Sequence, residues 1–365
     1  MIRLSLPSFA LVALLFAAPH AVADTIYLVD GSSVEDVEVG DESYEKVEYK
    51  TEGKRKDVAA DQVLRIDYSE KPPLVDRGDD TATEGDVFGA IGDLQTYVEG
   101  HFAKGGTDRR FPWAPAYALG RLIDLQESVG NLDGVIAAAD QLIANVPTAR
   151  QTPGAHLSKA QAQYRKGDAA GATKTLGALE SLVQTAGLSR AWVLEVQLGR
   201  VVYDDALKGS ARRDKLRAVA VSAGNEFPVV ASRANTVAGE SLVEEQKYTE
   251  AEAIFREVVD KGKADHRTLA AAYTGLGDCL LQRGQTADGD KQAELLKNAL
   301  LAYMRVVVVY EDQTQYVPKA MFYAARIFDQ EEDEVSKERA QRLYRKIIYR
   351  YDGSRWAREA NGFKK

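Results

Sequence analysis

The side chains able to do chemistry in this 365-residue sequence are few and scattered. His101, His156 and His266 lie far apart, and none has a second ligand one helical turn away, so the spacing that builds a zinc site is missing. Cys279 is the sole cysteine, which excludes an intramolecular disulfide; set among Leu276, Leu280 and Leu281, it reads as a buried, inert thiol. The run Glu331-Glu332-Asp333-Glu334 could act as general acid and base only in a pocket that separated its pKa values. In a polar insertion it reads as a solvated loop. Asp288-Gly289-Asp290 is too short for the twelve-residue oxygen cage that holds calcium. Gly89 and Gly92 follow no strand, and no phosphate loop or nucleophile elbow is present. The sequence therefore points to no catalytic residue, no cofactor and no metal.

What remains is binding. Net charge is −8, which argues against nucleic acid or an anionic membrane as main partner, since both reward clustered Lys and Arg. The short basic runs Lys54-Arg55-Lys56 and Arg212-Arg213 are interspersed with acids and read as solvated faces. Residues 1–23 carry Arg3, an apolar core from Phe9 to Ala18 and the small-residue site Ala21-Val22-Ala23. That three-part pattern predicts a signal peptide, and hence an exported, periplasmic or extracellular product. No other run is apolar enough to span a bilayer.

Residues 24–70 alternate with a period of two. Ile26 and Leu28, Val37 and Val39, Val47 and Tyr49, then Leu64, Ile66 and Tyr68 predict about five short strands, with turns at Asp30-Gly31 and Glu52-Gly53. At this size a compact β-barrel, SH3-like or Sm-like, is expected, either binding a peptide or capping the helical array. Residues 71–85, with Pro72-Pro73 and RGDDTATEG, read as a linker whose Arg77-Gly78-Asp79 tripeptide is a chance string. From residue 86 to 365 the period is helical. Amphipathic stretches succeed one another in pairs, and Pro147 and Pro228 read as stops.

The pairs share a pattern. Gly239 is followed at twelve residues by Ala251, then by Phe255 and Val258, with the polar break Gln246-Lys247-Tyr248 between the two helices. Small residues let antiparallel helices approach, and the aromatic fills the space beside the crossing. Gly277, Ala299 and Tyr303 repeat it, with Arg283 to Gln292 read as a loop insertion. Ala325, Ala340 and Tyr344 repeat it again, with extra residues at Glu331 to Lys337. These residues resemble the tetratricopeptide repeat. The tail from Tyr349 to Ala357 is similar to repeat ends in the Tol-Pal cell-division coordinator and outer-membrane assembly families, with Asp352 where those usually have proline. The resemblance implies a mainly α protein, a right-handed α-solenoid of about six helical hairpins behind the small β-module, since one hairpin cannot bury its own apolar face.

It also implies a function, because such solenoids commonly hold peptides on the concave face formed by the first helix of each pair. Transferring those positions gives Arg233, Thr236, Glu240, Asp278, Gln282, Lys319, Phe322 and Arg326 as groove candidates. The preferred reading is a non-enzymatic cell-envelope scaffold for a protein or peptide partner. Two alternatives stay open. One is an envelope hydrolase or carbohydrate-binding protein with a cleft around Trp192 and Tyr203; the other is a structural subunit that self-associates as a homo-oligomer.

Overall fold

The computed structural model describes residues 23–106 and 110–363. The expected signal peptide, apart from Ala23, lies outside the described residues. Five strands, β1 (Asp24–Leu28), β2 (Ser33–Glu42), β3 (Lys46–Thr51), β4 (Lys54–Ala59) and β5 (Val63–Asp67), form an antiparallel sheet in the order β4-β3-β2-β1-β5. Their alternation buries Ile26, Val37, Val39, Val47, Tyr49 and Ile66. Leu64, expected inward, is exposed; a register shift between Tyr27 and Leu28 turns Val63 to the core instead.

The sheet does not close into the expected barrel, and β4 and β5 remain its edges. β4, built on Lys54-Arg55-Lys56-Asp57, offers little apolar surface for closure. The sheet's apolar face is covered instead by Trp113, Ala114 and Tyr117 from the helical part. Tyr68 stacks on Trp113 with ring centroids 3.4 Å apart. Its hydroxyl donates to the buried Glu42 carboxylate, which also accepts from Arg150 Nε at 3.0 Å. Burial and the neighbouring Glu42 charge hold the Tyr68 phenol protonated far above its usual range. The module thus shares its core with the helices.

The helices are α1 (Pro73–Thr83), α2 (Val87–Ala103), α3 (Ala114–Ser128), α4 (Leu132–Asn145), α5 (Thr152–Arg165), α6 (Ala169–Ala186), α7 (Arg190–Val202) and α8 (Gly209–Ala223). They continue as α9 (Pro228–Glu244), α10 (Tyr248–Lys261), α11 (His266–Gln285), α12 (Gly289–Val309), α13 (Val317–Phe328), α14 (Glu334–Arg350) and α15 (Arg355–Asn361). The first fourteen pack as successive hairpins, so the described residues hold seven hairpins, one more than the sequence suggested. The additional one comes from the expected linker, most of which is α1. Pro73 starts it at a first-turn position. Its polar residues divide: Asp76, Arg77 and Asp80 are exposed, whereas Asp79 accepts from Lys71 at 2.6 Å, Tyr117 at 2.7 Å and Arg121 at 3.0 Å. The Arg77-Gly78-Asp79 tripeptide is therefore helical, with Gly78 buried against Leu94.

A turn signature recurs where these hairpins reverse. Gly85, Gly130 and Gly167 have φ of 92°, 74° and 87°, and the next residue, Asp86, Asn131 or Asp168, accepts the N–H of Gly89, Gly134 or Gly171. The residues at 283–292, expected as a loop, mostly lengthen α11 and α12. Within Glu331 to Lys337, Asp333 caps α14 by accepting the Ser336 N–H at 2.9 Å. α8 stops at Gly224, with φ of 53°, so Pro228 opens α9 and does not end α8.

Packing between hairpins rests on rings set against glycines. Phe255 of α10 is fully buried; a Cβ on Gly239 of α9 would stand 2.7 Å from its ring, and one on Gly275 of α11 would collide with the other side. Tyr303 of α12 lies on Gly277 of α11 in the same way, at 2.6 Å from a Cβ there. We expect Gly275→Ala to destabilise the protein by about 1–3 kcal/mol, because the trapped ring has nowhere to move. Gly177→Ala, on open helix surface in α6, should stabilise it by about 0.5–1 kcal/mol. Urea unfolding of the two variants checks both signs. Glu42→Ala should cost roughly 3–5 kcal/mol in the same assay, since it strands the Arg150 guanidinium.

Candidate concave binding cavity

The first helices α3, α5, α7, α9 and α11 face inward around a cavity of about 840 Å³. Each contributes a polar side chain from its inner face: Asp124 and Glu127 from α3, Gln161 and Tyr164 from α5, Glu195 from α7, Arg233 and Glu240 from α9, Arg267 from α11. Apolar surface comes from Leu157, Leu198, Val202 and Val237. The circuit is closed by two features. Arg267 reaches across to Glu127 of α3 and Gln161 of α5, and Arg165 stands 3.7 Å from the same Glu127. The loop Asp312 to Tyr316, between α12 and α13, returns over the cavity so that Thr314 comes near Gly130.

Arg233 is held from two sides, by Glu195 at 2.6 Å and Asp265 at 3.0 Å. Burial opposes its charge, but these two carboxylates more than compensate and hold the guanidinium firmly protonated. For Asp265 burial is outweighed by Arg233 and by the Thr268 N–H, so its carboxyl lies below the usual range. Glu195 is buried more deeply than Arg233 can offset, and its carboxyl is raised. Glu240 and Asp124 touch water through the cavity, yet protein surrounds them. This loss of bulk solvent pushes Glu240 up to about 7 and Asp124 up to about 6.

The cavity brings together three of the eight groove candidates, Arg233, Thr236 and Glu240. Thr236 is buried and its hydroxyl donates to the Ser232 carbonyl, so it shapes the wall. Asp278 and Lys319 pair with each other beside the cavity, and Asp278 also accepts from the Tyr303 hydroxyl at 2.8 Å. Gln282, Phe322 and Arg326 do not line it. Phe322 is a correction: it is buried, because α15 and the C-terminal residues fold over that end and pack Trp356 and Phe363 against it. Arg326 lies over the Phe363 ring at 4.8 Å.

Asp124, Glu127, Gln161 and Glu195 were missed; Gln161 follows Ala160 as Glu240 follows Gly239, so the same positional transfer reaches it, whereas Asp124, Glu127 and Glu195 do not share those offsets from Gly120 and Gly199. Arg212 and the 312–316 loop had no such signal, as they come from a second helix and a connection. Arg212 enters the cavity wall with its Nε buried and unpartnered, contrary to the solvated face read from Arg212-Arg213. Arg213 instead pairs with Glu245.

No group of three or more potential metal ligands exists among the described residues. Cys279 is buried, and burial with the nearby Asp278 and Glu252 charges pushes its thiol up to about 12, far from reactive. Trp192, expected at a carbohydrate cleft, is half-buried against the Leu176, Leu179 and Val183 core, while Tyr203 stands in the cavity wall.

Two outcomes test the cavity's construction. Arg267→Ala should let the circuit open: nitroxides on cysteines placed at Ser128 and Thr314 should lose dipolar broadening in that variant, with buried Cys279 remaining unlabelled. The raised Glu240 carboxyl keeps its proton in the folded chain between about pH 4.5 and 7, where the unfolded chain releases it. Stability should therefore fall as pH rises through that window, and Glu240→Gln should flatten the trend in urea midpoints measured from pH 5 to 8.

No protein-family model matches the sequence, and no curated protein matches it. Among solved structures, the chain is similar to a tetratricopeptide repeat protein from Parabacteroides merdae, at 14% identity over 74% of this chain and 97% of that one, with a TM-score of 0.39. It is also similar to the C-terminal part of a TPR repeat-containing protein from Cytophaga hutchinsonii, at 12% identity over 78% and 98% of the chains, with a TM-score of 0.35. The apo form of RapI matches at 12% identity over 79% of each chain, with a TM-score of 0.38. The first two are tetratricopeptide repeat proteins; likeness at this level says nothing about ligand or partner, and the architecture rests on the packing described above.

Proposed function

We propose that this chain is a non-enzymatic scaffold that holds a short polypeptide segment in the concave cavity, and that it does so outside the cytoplasm as part of the cell envelope. The observation that carries the binding reading is the cavity itself. Five successive first helices aim polar and apolar side chains into one space, and the long-range Arg267 bridge holds that space in shape. Its volume, about 840 Å³, falls within the roughly 300–1,000 Å³ of pockets for small ligands. It therefore suits a few residues of chain, not a folded domain. The envelope reading is supported by the three-part leader pattern in residues 1–23.

Photo-cross-linking tests the first part. A benzophenone side chain at Val237, in the cavity wall, should capture a polypeptide from the native extract that the same group at Val221, exposed on α8, does not. The captured segment, made as a synthetic peptide, should bind the purified protein and compete with the cross-link. Equal capture at both positions, or a peptide that fails to compete, would remove the cavity as the binding site. N-terminal sequencing of the protein from its own cells tests the second part: a chain starting at Asp24 supports export, and an intact Met1 start opposes it.

A further inference from the structure

The cavity's charges do not balance. Asp124, Glu240, Glu244 and Asp312 line it without an ion pair, and three of its four arginines are already committed to Glu127, Glu195 and Asp265. That leaves Arg212 alone against four carboxylates. Glu240 and Glu244 stand one turn apart on α9, where like charges repel and neither can serve the other. Lys319, the cation that acts most strongly on Glu240, is engaged by Asp278. Beside these carboxylates lie aromatic faces: the Tyr164 and Tyr203 rings have centroids 5.1 Å apart, and Tyr316 approaches from the 312–316 loop. Carboxylates next to tyrosine faces in a protein-walled space select a cation, which gains both charge pairing and ring attraction.

We infer that the cavity receives a cationic amine or guanidinium group, a Lys or Arg side chain of the bound segment, seated against Glu240 and Glu244 and beside Tyr164. The inference rests on the cavity being the binding site. Proton linkage gives it a signature. Glu240 is faced by Lys319, Arg212, Glu244, Asp278 and Tyr316, and in the empty cavity it is raised to about 7. A cation bound beside it pulls its carboxyl back toward the ordinary range. Binding near pH 7 therefore releases protons and tightens as pH rises from 6 to 8.

Calorimetry of the full mature protein with three probes tests this: acetyl-tetralysine amide, spermidine and acetyl-tetraglutamate amide, each in two buffers of different ionisation enthalpy. Tetralysine is expected to bind with net proton release and tetraglutamate not to bind. Glu240→Gln/Glu244→Gln should weaken tetralysine by about tenfold or more and remove the proton release. The outward pair Glu250→Gln/Asp260→Asn should change it by less than about twofold. If the cavity double variant melts early, Glu244→Gln alone, at an exposed position, carries the comparison. Spermidine binding as tightly as tetralysine assigns the site to free polyamines; weaker binding assigns it to peptide, and either keeps the cationic chemistry. The inference is overturned by failure of both cationic probes at millimolar concentration, by tetralysine binding indifferent to the cavity variants, or by preference for tetraglutamate. Capture of a segment at Val237 alongside any of these results would refute the charge assignment and leave the cavity as binding site; loss of both would refute both.

Discussion

Everything beyond the local hairpins depends on how closely neighbouring first helices can lie, and that distance is set where the Phe255 ring lies between Gly239 and Gly275. A side chain on either glycine would push α9 and α11 apart. The same device places Tyr303 on Gly277, and Leu176 on Gly199 between α6 and α7. Close packing of this kind turns small local choices into curvature, because each hairpin is placed only by its neighbours. Curvature summed over five hairpins brings Arg267 within reach of Glu127, 140 residues earlier in the chain.

The two ends are finished differently. At the first end an open sheet spends its apolar face on Trp113 and Tyr117, anchored by the buried Glu42 with Arg150 and Tyr68. At the other, α15 and Phe363 cover α13. The second device hides apolar helix surface that has no further repeat to meet, as a terminal unit of a solenoid must, whereas the sheet covers residues of α2 and α3 that also have helical neighbours. The β-module shares its core with the helices, and its polar edge strand β4 is one that resists pairing with other chains.

Between the ends, polar groups divide into two kinds. Arg233 with Glu195 and Asp265, and Asp79 with Lys71, Tyr117 and Arg121, are satisfied networks that hold helices in register. Glu240, Glu244 and Asp124 are not satisfied, and their position in a protein-walled, water-accessible space makes their charge available to something else.

Local rules written in the chain determined most of the helices. Gly239, Ala251 and Phe255 disclosed a hairpin because close crossing needs small residues at that spacing, and period-two alternation disclosed the strands. The Gly85-Asp86 turn was equally local and shows that the polar stretch before it is half of a hairpin; its charges misled because their partners, Arg121 and Tyr117, lie about forty residues away. Tertiary structure alone decided the rest. Whether the sheet closed depended on Trp113 taking its inner face, and whether Phe322 faced a groove depended on α15. The cavity's composition depended on curvature that brings α3 opposite α11, a sum over many packed neighbours that no single stretch of sequence expresses.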